Sequence, residues 1–473
     1  MSLSNGYAVT RRELLSTACC GFGGLALHSM AVGAATAGAL SSQATHFAPK
    51  AKRVIFLFMS GGPSQCDLFD EKPLITKNHG EQVFPDLPGT QQRLGIDQGF
   101  LAMKPIRPIR PRGESRMTVS DLMPEFATVV DDVCLLKAVR TDNKAHGPAR
   151  LQLHTGMVSG NLPSIGAWVS YGLGTENNNL PSFMTIQPFA RDVRLSGSGF
   201  LPAAHQGTPV KVPTDEDAMP IKHLQDAEVE REQQLRRLAF TKEANRRLLS
   251  SFQTDQQLEG MIESFELAFR MQTETPELVD LSGETQETLD LYGVGQKPTD
   301  KNARAMLMAR RMSEAGVRFV QVSIDGWDHH GRIATALPPM CAASDQPVAA
   351  LIKDLKRRGL LDETLVVWSG EFGRSYWSQD QTYTSPFHLH GREHQQESYA
   401  MWMAGGGLKG GMTYGETDEF GLLPITDSVH LHDVHATILH LIGLDHERLT
   451  YRVAGRDFRL TDVYGNVAHD LIA

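Results

Sequence analysis

A twelve-residue stretch, residues 320–331 with the sequence VQVSIDGWDHHG, joins an apolar run to a polar loop and limits the folds that this chain can adopt. The apolar run predicts a buried strand. The loop carries Asp325 and His329, whose side chains could meet at one metal ion if the loop folds back on itself. In open α/β sheets, ligands bind outside the carboxyl ends of the strands, and this loop has that position. The stretch therefore predicts a strand followed by a metal site; the alternative for the loop is a solvated surface.

Apolar runs of the same kind recur along the chain and alternate with helical segments. We predict strands over residues 53–60, 132–139, 180–187, 317–324, 364–368 and 399–404. We predict helices over residues 122–130, 302–315, 347–358 and 434–442, and one from about Pro148 to Gly156. The alternation predicts one α/β domain over residues 50–470, a doubly wound, mostly parallel sheet flanked by helices. Residues 214–300 predict a helical insertion, because apolar residues recur there at helical spacing in a polar background.

The N-terminus has the layout of an export signal. Arg11 and Arg12 form a twin-arginine pattern, and an Ala/Gly-rich apolar run follows to about residue 40. We therefore predict that residues 1–45 are a signal read by the twin-arginine (Tat) export machinery. The mature protein would be periplasmic or extracellular, or anchored if the signal is not cleaved. The alternative is a cytosolic protein with a chance pair of arginines.

Composition excludes several classes of protein. The 473 residues are 41% hydrophobic and 21% charged, which is typical of a globular chain with a large core. The formal net charge of −9 gives no reason to expect nucleic-acid binding. No segment after the signal is apolar for long enough to span a bilayer. Beyond the signal only Cys66, Cys134 and Cys341 remain, which argues against a disulfide framework.

Polar side chains that suit a metal-dependent reaction follow the predicted strands. They are Asp67, His146 with Arg150, Asp325 with His329, Glu371 with Arg374, and the later His390 and His394. Carboxylates and imidazoles together could hold one or two divalent metal ions, Zn²⁺ or Ca²⁺, Mg²⁺ or Mn²⁺, for displacement at phosphorus or sulfur. The two arginines would clamp the ester oxygens. The alternative is a set of solvated loops with structural salt bridges.

The order of these motifs resembles the alkaline phosphatase and sulfatase superfamily. Asp325-x-x-x-His329 is similar to its paired metal ligands, and residues 146–156, HGPARLQLHTG, are similar to the sulfatase segment that begins with the nucleophile precursor. More closely, residues 53–463 resemble a bacterial family of exported, sulfatase-like proteins known as domain of unknown function 1501. The stretches GGPSQCDLFD (61–70), WSGEFGR (368–374) and LTYRVAGRDF (449–458) carry that resemblance.

The resemblance implies a metal-dependent hydrolase of phosphate or sulfate esters, with a small-molecule or glycan ester as substrate. In this hypothesis Asp325, His329 and His394 hold one metal, and Asp67, Glu371 and His390 hold a second. The chain departs from the superfamily because His146 stands at the nucleophile position and Phe372 follows Glu371. Attack would then come from metal-bound hydroxide or from His146, and His146 could instead ligate a metal or act as a general acid. The alternative function is a non-catalytic binding protein that keeps a metal or anion site on the same fold.

Overall fold

A computed structural model describes residues 42–86, 96, 98–177, 179–213, 276–381 and 385–473, with scattered positions between 232 and 267. The predicted export signal over residues 1–45 lies almost entirely outside the described residues. So does most of the predicted helical insertion over residues 214–300. Both remain expectations from the sequence.

A nine-stranded sheet forms the centre of the fold, in the order β14-β6-β13-β10-β1-β9-β7-β8, with β17 also paired to β6. Its strands are β1 (Arg53–Ser60), β6 (Val133–Arg140), β7 (Phe183–Ile186), β8 (Thr208–Val210), β9 (Phe319–Asp325), β10 (Thr364–Ser369), β13 (Tyr399–Ala404), β14 (Met412–Tyr414) and β17 (Val429–His430). Strand β13 pairs antiparallel with β10 and β6, and every other pair is parallel. The sheet is therefore mixed and mostly parallel, as the alternation predicted.

Eight helices lie wholly within the described residues. They are α1 (Gln65–Leu68), α2 (Pro73–Lys77), α3 (His146–Thr155), α4 (Ile165–Leu173), α5 (Gln286–Tyr292), α6 (Asp300–Glu314), α7 (Ile333–Arg357) and α8 (Leu431–Leu441). The remaining strands form two-stranded ribbons: β2 (Gln82–Val83) with β3 (Phe100–Leu101), β4 (Ile109–Arg112) with β5 (Met117–Ser120), β11 (Gly373–Ser378) with β12 (Arg392–Gln395), β15 (Glu416–Thr417) with β16 (Pro424–Thr426), and β18 (Tyr451–Val453) with β19 (Arg456–Phe458).

Helices cover both faces of the sheet, which explains why β1 is apolar from Val54 to Met59. Alternate residues of a strand point to opposite faces. Ile55 belongs to a core shared with α6 and α7, whereas Phe56 belongs to a second core shared with α3, α4 and α8. Both side chains are at most 1% exposed. The doubly wound architecture is therefore present, with β1 at the centre of the sheet.

The structure corrects one predicted helix and extends another. Residues 122–130 were predicted to be helical, but they contain only a short 3-10 turn at Phe126–Thr128, and a second turn follows at Val130–Asp132. Helix α7 begins at Ile333, well before the predicted start at residue 347, and it contains Pro338 and Pro339. Because proline lowers helix propensity, the sequence did not predict the first half of this helix.

Cys66, Cys134 and Cys341 are buried and not disulfide-bonded. Within the described part of the chain, no helix has both the length and the hydropathy to cross a bilayer.

Candidate metal centre

The loops that carry the candidate residues meet at the carboxyl ends of parallel strands. Strand β1 ends at Ser60 beside Asp325, the last residue of β9, and its other neighbour is β10. Glu371 follows β10, and His146 begins α3 in the loop after β6. The sheet therefore brings together residues that are far apart in sequence, at the edge where α/β folds bind ligands.

Gly61 allows two of these loops to approach closely. Its φ of 118° lies in the region that favours glycine. A Cβ atom there would lie 2.5 Å from the backbone nitrogen of Asp328 and 2.8 Å from the carbonyl carbon of Trp327. The backbone N–H of Trp327 donates to the Ser60 carbonyl at 3.1 Å. The loop after β9 therefore packs directly on the end of β1, and this contact sets the position of Asp328.

Three imidazoles and one carboxylate converge at this edge. One ligand atom from each of His146, Asp328, His330 and His394 lies within 4.8 Å of the other three. The His146 Nε2 atom is 3.0 Å from Asp328 Oδ2, and the His330 Nε2 atom is 2.9 Å from Asp328 Oδ1. The His394 Nε2 atom is 3.5 Å from the same Oδ1. Asp328 is therefore the centre of the group, which we call the His/Asp cluster.

The second nitrogen of each imidazole has an acceptor that fixes the tautomer. The Nδ1 atom of His146 is 2.7 Å from Glu371 Oε1, and that of His394 is 2.6 Å from the Lys144 carbonyl oxygen. The Nδ1 atom of His330 contacts Gln379 Oε1. Each Nδ1–H can therefore donate, which leaves the Nε2 lone pairs directed at the cluster.

This donor set fits a divalent metal ion. Three neutral imidazoles and one carboxylate make a four-ligand set that suits Zn²⁺. Metal-binding histidines usually donate their other N–H to a carboxylate or carbonyl group, and each imidazole of the cluster has such an acceptor. Without a cation, Nε2 lone pairs would face carboxylate oxygens unless the imidazoles were protonated.

Electrostatics keeps Asp328 charged. Burial by itself raises the pKa of Asp328, but Arg374 and the imidazoles of His146, His330 and His394, which donate through Nε2 when they are protonated, outweigh it, and the pKa is lowered. Burial by itself lowers the pKa of His146, yet its hydrogen bonds to Asp328 and Glu371 produce a net rise. For His394, burial is the largest cause and its pKa is lowered. A bound cation would compete with protons for these nitrogens.

Glu371 supports the cluster from below and is fully buried. It accepts hydrogen bonds from the Gly61 backbone N–H at 3.0 and 3.1 Å, from Arg150 Nε at 2.9 Å and from His146 Nδ1 at 2.7 Å. Burial raises its pKa, but these hydrogen bonds and the Arg150 charge produce a net lowering. Because its lone pairs are used in this way, Glu371 orients His146 and does not lie in the predicted second metal site.

Phe372 forms an apolar floor beneath two of the imidazoles. Its ring centroid is 4.9 Å from that of His146 and 4.2 Å from that of His394, and the side chain is fully buried. The residue that departs from the superfamily pattern therefore restricts the imidazole rings by packing.

The two arginines that were predicted to clamp a substrate have different environments. Arg374 is fully buried, and its guanidinium donates to the carbonyls of Gly61, Gly62 and Arg392, to Asp328 and, at 3.5 Å, to His330 Nε2. This arrangement leaves it no donor for a substrate, so Arg374 positions Asp328. Arg150 donates to Glu371 and stacks over the Phe189 ring at 4.5 Å. Its Nη1 atom has no hydrogen-bond partner among the described residues.

The predicted carboxylate ligands Asp67 and Asp325 lie outside the cluster. Asp67 is fully buried and paired with Arg392, with Oδ2 2.6 Å from Nε and Oδ1 3.0 Å from Nη2. It also accepts from the Ile106 backbone N–H at 2.9 Å. Asp325 is exposed at the end of β9, where it accepts from the Gly326 backbone N–H at 3.0 Å. Neither carboxylate points into the cluster.

The predicted histidine ligands are also divided. His394 lies in the cluster, but the Nδ1 of His390 contacts Ser378 Oγ at 2.7 Å and its Nε2 contacts the Ser385 carbonyl at 2.8 Å. With both nitrogens used, His390 links β11 to the loop before β12. His329 is 6% exposed, and its Nδ1 has no hydrogen-bond partner among the described residues. Its burial lowers its pKa.

Asp328 and His330 are the cluster residues that sequence reasoning missed. They lie in the same loop as Asp325 and His329, and spacing alone favours neither pair. The signal that distinguishes them is Trp327, which is 1% exposed and anchored to β1. Because Trp327 is buried and bonded to β1, it fixes the backbone of the adjacent Asp328, and this contact cannot be read from the spacing of the loop residues.

The fold and the cluster define an α/β protein with a candidate metal centre at the carboxyl edge of a mostly parallel sheet. The chain belongs to the family described as "Protein of unknown function (DUF1501)", whose sequence model matches residues 51–472. No curated protein sequence matches the chain.

Several solved structures resemble the chain at low identity. The lipoteichoic acid synthase LtaP from Listeria monocytogenes is 10% identical, covers 89% of this chain and 78% of its own, and has a TM-score of 0.34. The PsFucS1 sulfatase from Pseudoalteromonas sp. is 12% identical, with coverage of 84% and 68% and a TM-score of 0.33. The alkaline phosphatase from the Antarctic bacterium TAB5 is 10% identical, with coverage of 84% and 99% and a TM-score of 0.34.

Proposed function

We propose that this chain is an exported, metal-dependent hydrolase of phosphate or sulfate esters whose metal is held by His146, Asp328, His330 and His394. The observation that carries the proposal is the orientation of the three imidazoles. Each Nδ1 has an acceptor, and each Nε2 is directed at Asp328. This ligand set differs from the predicted first site of Asp325, His329 and His394, with which it shares only His394.

The metal ion, when bound, would act as a Lewis acid on the ester oxygens. The protein supplies the surrounding groups. Arg150 lies one helical turn from His146 and has a free Nη1 atom, so it can donate to a negatively charged ester. The N-terminus of α3 adds the favourable end of a helix dipole beside the same site.

The cluster is open to a substrate. The cluster side chains are between 12% and 40% exposed. Glu371 and Arg374 lie beneath them and are fully buried. The arrangement therefore holds the ligands rigidly from one side and leaves the other side open to solvent, as ester hydrolysis requires.

His146 orients the metal site in this proposal and does not attack the ester. Its Nε2 is directed at Asp328 and its Nδ1 at Glu371, so neither nitrogen is free for an in-line attack. When the reaction of an aryl phosphate labelled in its phosphate group is quenched, no alkali-stable phosphohistidine should therefore be found. A stoichiometric phosphohistidine would instead assign the covalent route to His146.

One experiment tests the metal and the activity together. Elemental analysis of the purified mature protein should find about one Zn²⁺ or similar ion per chain. Turnover should then be measured on 4-nitrophenyl phosphate, bis(4-nitrophenyl) phosphate and 4-nitrophenyl sulfate, with and without chelator. The Asp328→Asn variant should lose both metal and turnover, whereas Asp325→Asn in the same loop should retain both. Metal loss in Asp325→Asn but not in Asp328→Asn would overturn this ligand set.

A non-catalytic binding protein on the same fold is the second candidate. None of the described hydrogen-bond partners of the cluster residues has a hydroxyl or thiol group that could serve as a nucleophile. This candidate predicts stoichiometric metal with no turnover of any of the three esters. Chelator-sensitive turnover of one ester would reject it.

A further inference from the structure

A groove separate from the His/Asp cluster lies where β6, the start of α8 and the C-terminal segment meet. Its volume is about 670 Å³. Its lining includes Arg140, Asp142, His432, Glu447, Val463 and Tyr464. Strand β17 pairs with β6 here, with His430 opposite Arg140. We call this cavity the Tyr464 groove; none of the cluster residues lines it.

Tyr464 presents a flat aromatic face that is held in place. Its ring is parallel to the His432 ring, with centroids 5.0 Å apart and planes 8° apart, and the residue is 60% exposed. The neighbouring Val463 is 70% exposed. The backbone N–H of Tyr464 donates to the carbonyl of the fully buried Thr461 at 2.9 Å. One face of the tyrosine ring is therefore covered by an imidazole, and the exposed remainder is a rigid apolar platform.

His432 supports the Tyr464 ring from within the protein. The residue is 3% exposed, and its Nε2 donates to the Gly156 carbonyl at 2.6 Å. Its Nδ1 is also buried and has no hydrogen-bond partner among the described residues. His432 therefore holds the tyrosine ring in place and offers no accessible polar atom to a ligand in the groove.

Donors and acceptors of both kinds surround the platform. Asp142 accepts from His430 at 3.0 Å, and its carboxylate side chain is 55% exposed. Glu447 pairs with Arg459 at 3.1 Å and is 67% exposed. Arg140 is exposed, and the described residues offer no hydrogen-bond partner for its guanidinium. The groove can therefore both donate to and accept from the same ligand.

Charge excludes a strongly anionic ligand from this groove. Three carboxylates, those of Asp142, Asp433 and Glu447, line it together with one guanidinium. A sulfate or phosphate group would face this carboxylate excess, whereas a neutral ligand with many hydroxyl groups would not. The volume is in the range of small-ligand sites, roughly 300–1,000 Å³.

We infer that the Tyr464 groove is a binding site for a neutral sugar ring, with the ring's C–H face on Tyr464 and its hydroxyl groups on Arg140, Asp142 and Glu447. An aromatic ring attracts C–H groups at its face because of its quadrupole. Carboxylates accept hydroxyl protons and a guanidinium donates to hydroxyl oxygens, so these residue types together suit a polyol. The site does not depend on the proposed hydrolase activity.

Saturation-transfer NMR on the whole protein tests the inference, with methyl β-glucoside and methyl β-galactoside as probes. Chelator is present, so binding is measured without turnover, and failure here leaves the hydrolase proposal untouched. Saturation should reach at least one of the two sugars, with the strongest transfer on its ring C–H protons. Tyr464→Ala should weaken binding by about tenfold, and Tyr464→Trp should retain it.

The matched control is Ile425→Ala, because Ile425 is also 60% exposed but lies in β16 and does not line the groove. It should leave the saturation signal unchanged. Arg140→Ala should weaken the signal several-fold through the loss of a donor. No saturation of either sugar, or equal saturation in wild type and Tyr464→Ala, would overturn the inference. Equal circular dichroism spectra confirm that Tyr464→Ala is folded.

Discussion

The kind of ligand that the His/Asp cluster can bind depends on which ring nitrogen of each imidazole carries a proton. The acceptors at Nδ1 belong to Glu371, Lys144 and Gln379, and they come from three different loops. The hydrogen bond made by Nδ1 determines which ring nitrogen carries the proton, and therefore whether Nε2 can bind a metal. If the cluster binds a metal as proposed, we expect the residues one contact away from it to affect the metal affinity almost as much as the four ligands.

Replacing Gln379 by Ala should lower Zn²⁺ affinity without removing a ligand. The change removes the acceptor of His330 Nδ1, so the imidazole can rotate or change tautomer. The expected loss is about 10- to 100-fold in affinity, measured by competition with a chromogenic chelator. Gln286→Ala, in the distant helix α5, is the control and should change nothing. An unchanged Zn²⁺ affinity in Gln379→Ala would show that the acceptor of His330 Nδ1 does not affect metal binding.

The pair of Asp67 and Arg392 should contribute to stability and not to metal binding. Both side chains are fully buried, and removing one partner leaves an uncompensated buried charge. Asp67→Ala should therefore lower the free energy of unfolding by about 3–5 kcal/mol, measured by urea denaturation. Arg452→Ala removes an exposed ion pair with Asp457 and should cost less than about 1 kcal/mol.

The two readouts separate the roles that have been considered for Asp67. If Asp67→Ala folds at low temperature, elemental analysis should still find metal. Loss of metal with no loss of stability would mean that Asp67 is a ligand after all and that the buried pair is incidental.

At the scale of elements, the turn after β1 connects the sheet to the cluster. Gly61 donates to Glu371 and packs against the backbone of Asp328, so one glycine touches the loops that follow β9 and β10. The strands themselves are rigid because both faces of the sheet are buried. The positions of the cluster residues therefore depend on the register of β1 with β9 and β10.

Gly61→Ala should destabilise the protein more than a glycine replacement in open space. A Cβ at Gly61 would overlap the Asp328 backbone at 2.5 Å, whereas one at Gly295 would meet nothing within 4 Å. Both glycines have positive φ, 118° and 80°, so both variants carry the backbone strain of about 1–2 kcal/mol. The extra loss in Gly61→Ala, seen in urea denaturation, measures the overlap. Metal stoichiometry should fall only in Gly61→Ala.

The elements were predictable where one physical signal dominated. Strand β1 matches its prediction because a short apolar run with β-branched residues is typical of a strand that is buried on both faces, and seven of its eight residues are buried. Helix α3 ends before Gly156, whose φ of 76° is the left-handed conformation typical of a helix end. Helix α7 was predicted only in part, because packing against the core outweighs the low propensity of Pro338 and Pro339.

The site was predictable only in its location. The rule that ligands bind beyond the carboxyl ends of strands selected the loops with His146, His394 and residues 325–330, and the structure brings side chains of these loops together. It could not select Asp328 over Asp325, because the direction of a loop side chain depends on contacts such as that of Trp327 with β1. Sequence spacing does not encode those contacts.

For the whole molecule, buried neutral histidines should make stability sensitive to acid. Burial lowers the pKa of His435 to about 3 and those of His154 and His205 to about 4. The unfolded chain binds protons at these positions below about pH 6.5, while the folded chain does not. The free energy of unfolding should therefore fall as the pH falls from about 6.5 towards 4.

His435→Gln tests this pH dependence. Glutamine can replace the Nε2–H donor to the Leu153 carbonyl but does not titrate. The loss of stability between pH 7.5 and pH 5, measured by urea denaturation, should be about 2 kcal/mol smaller in the variant. The exposed His388→Gln should leave the pH dependence unchanged. An equal loss in His435→Gln and wild type would show that His435 is not the titrating group.

The central place of β1 has a consequence for biosynthesis. The strand is complete at Ser60, but its neighbours β9 and β10 begin at Phe319 and Thr364. A ribosome needs about 13–50 s to add the roughly 260 residues between Ser60 and Phe319. During that interval a largely apolar strand lacks its two neighbours in the sheet, so we expect a chaperone to cover it. The four side chains of the His/Asp cluster likewise cannot meet before residue 394 has emerged.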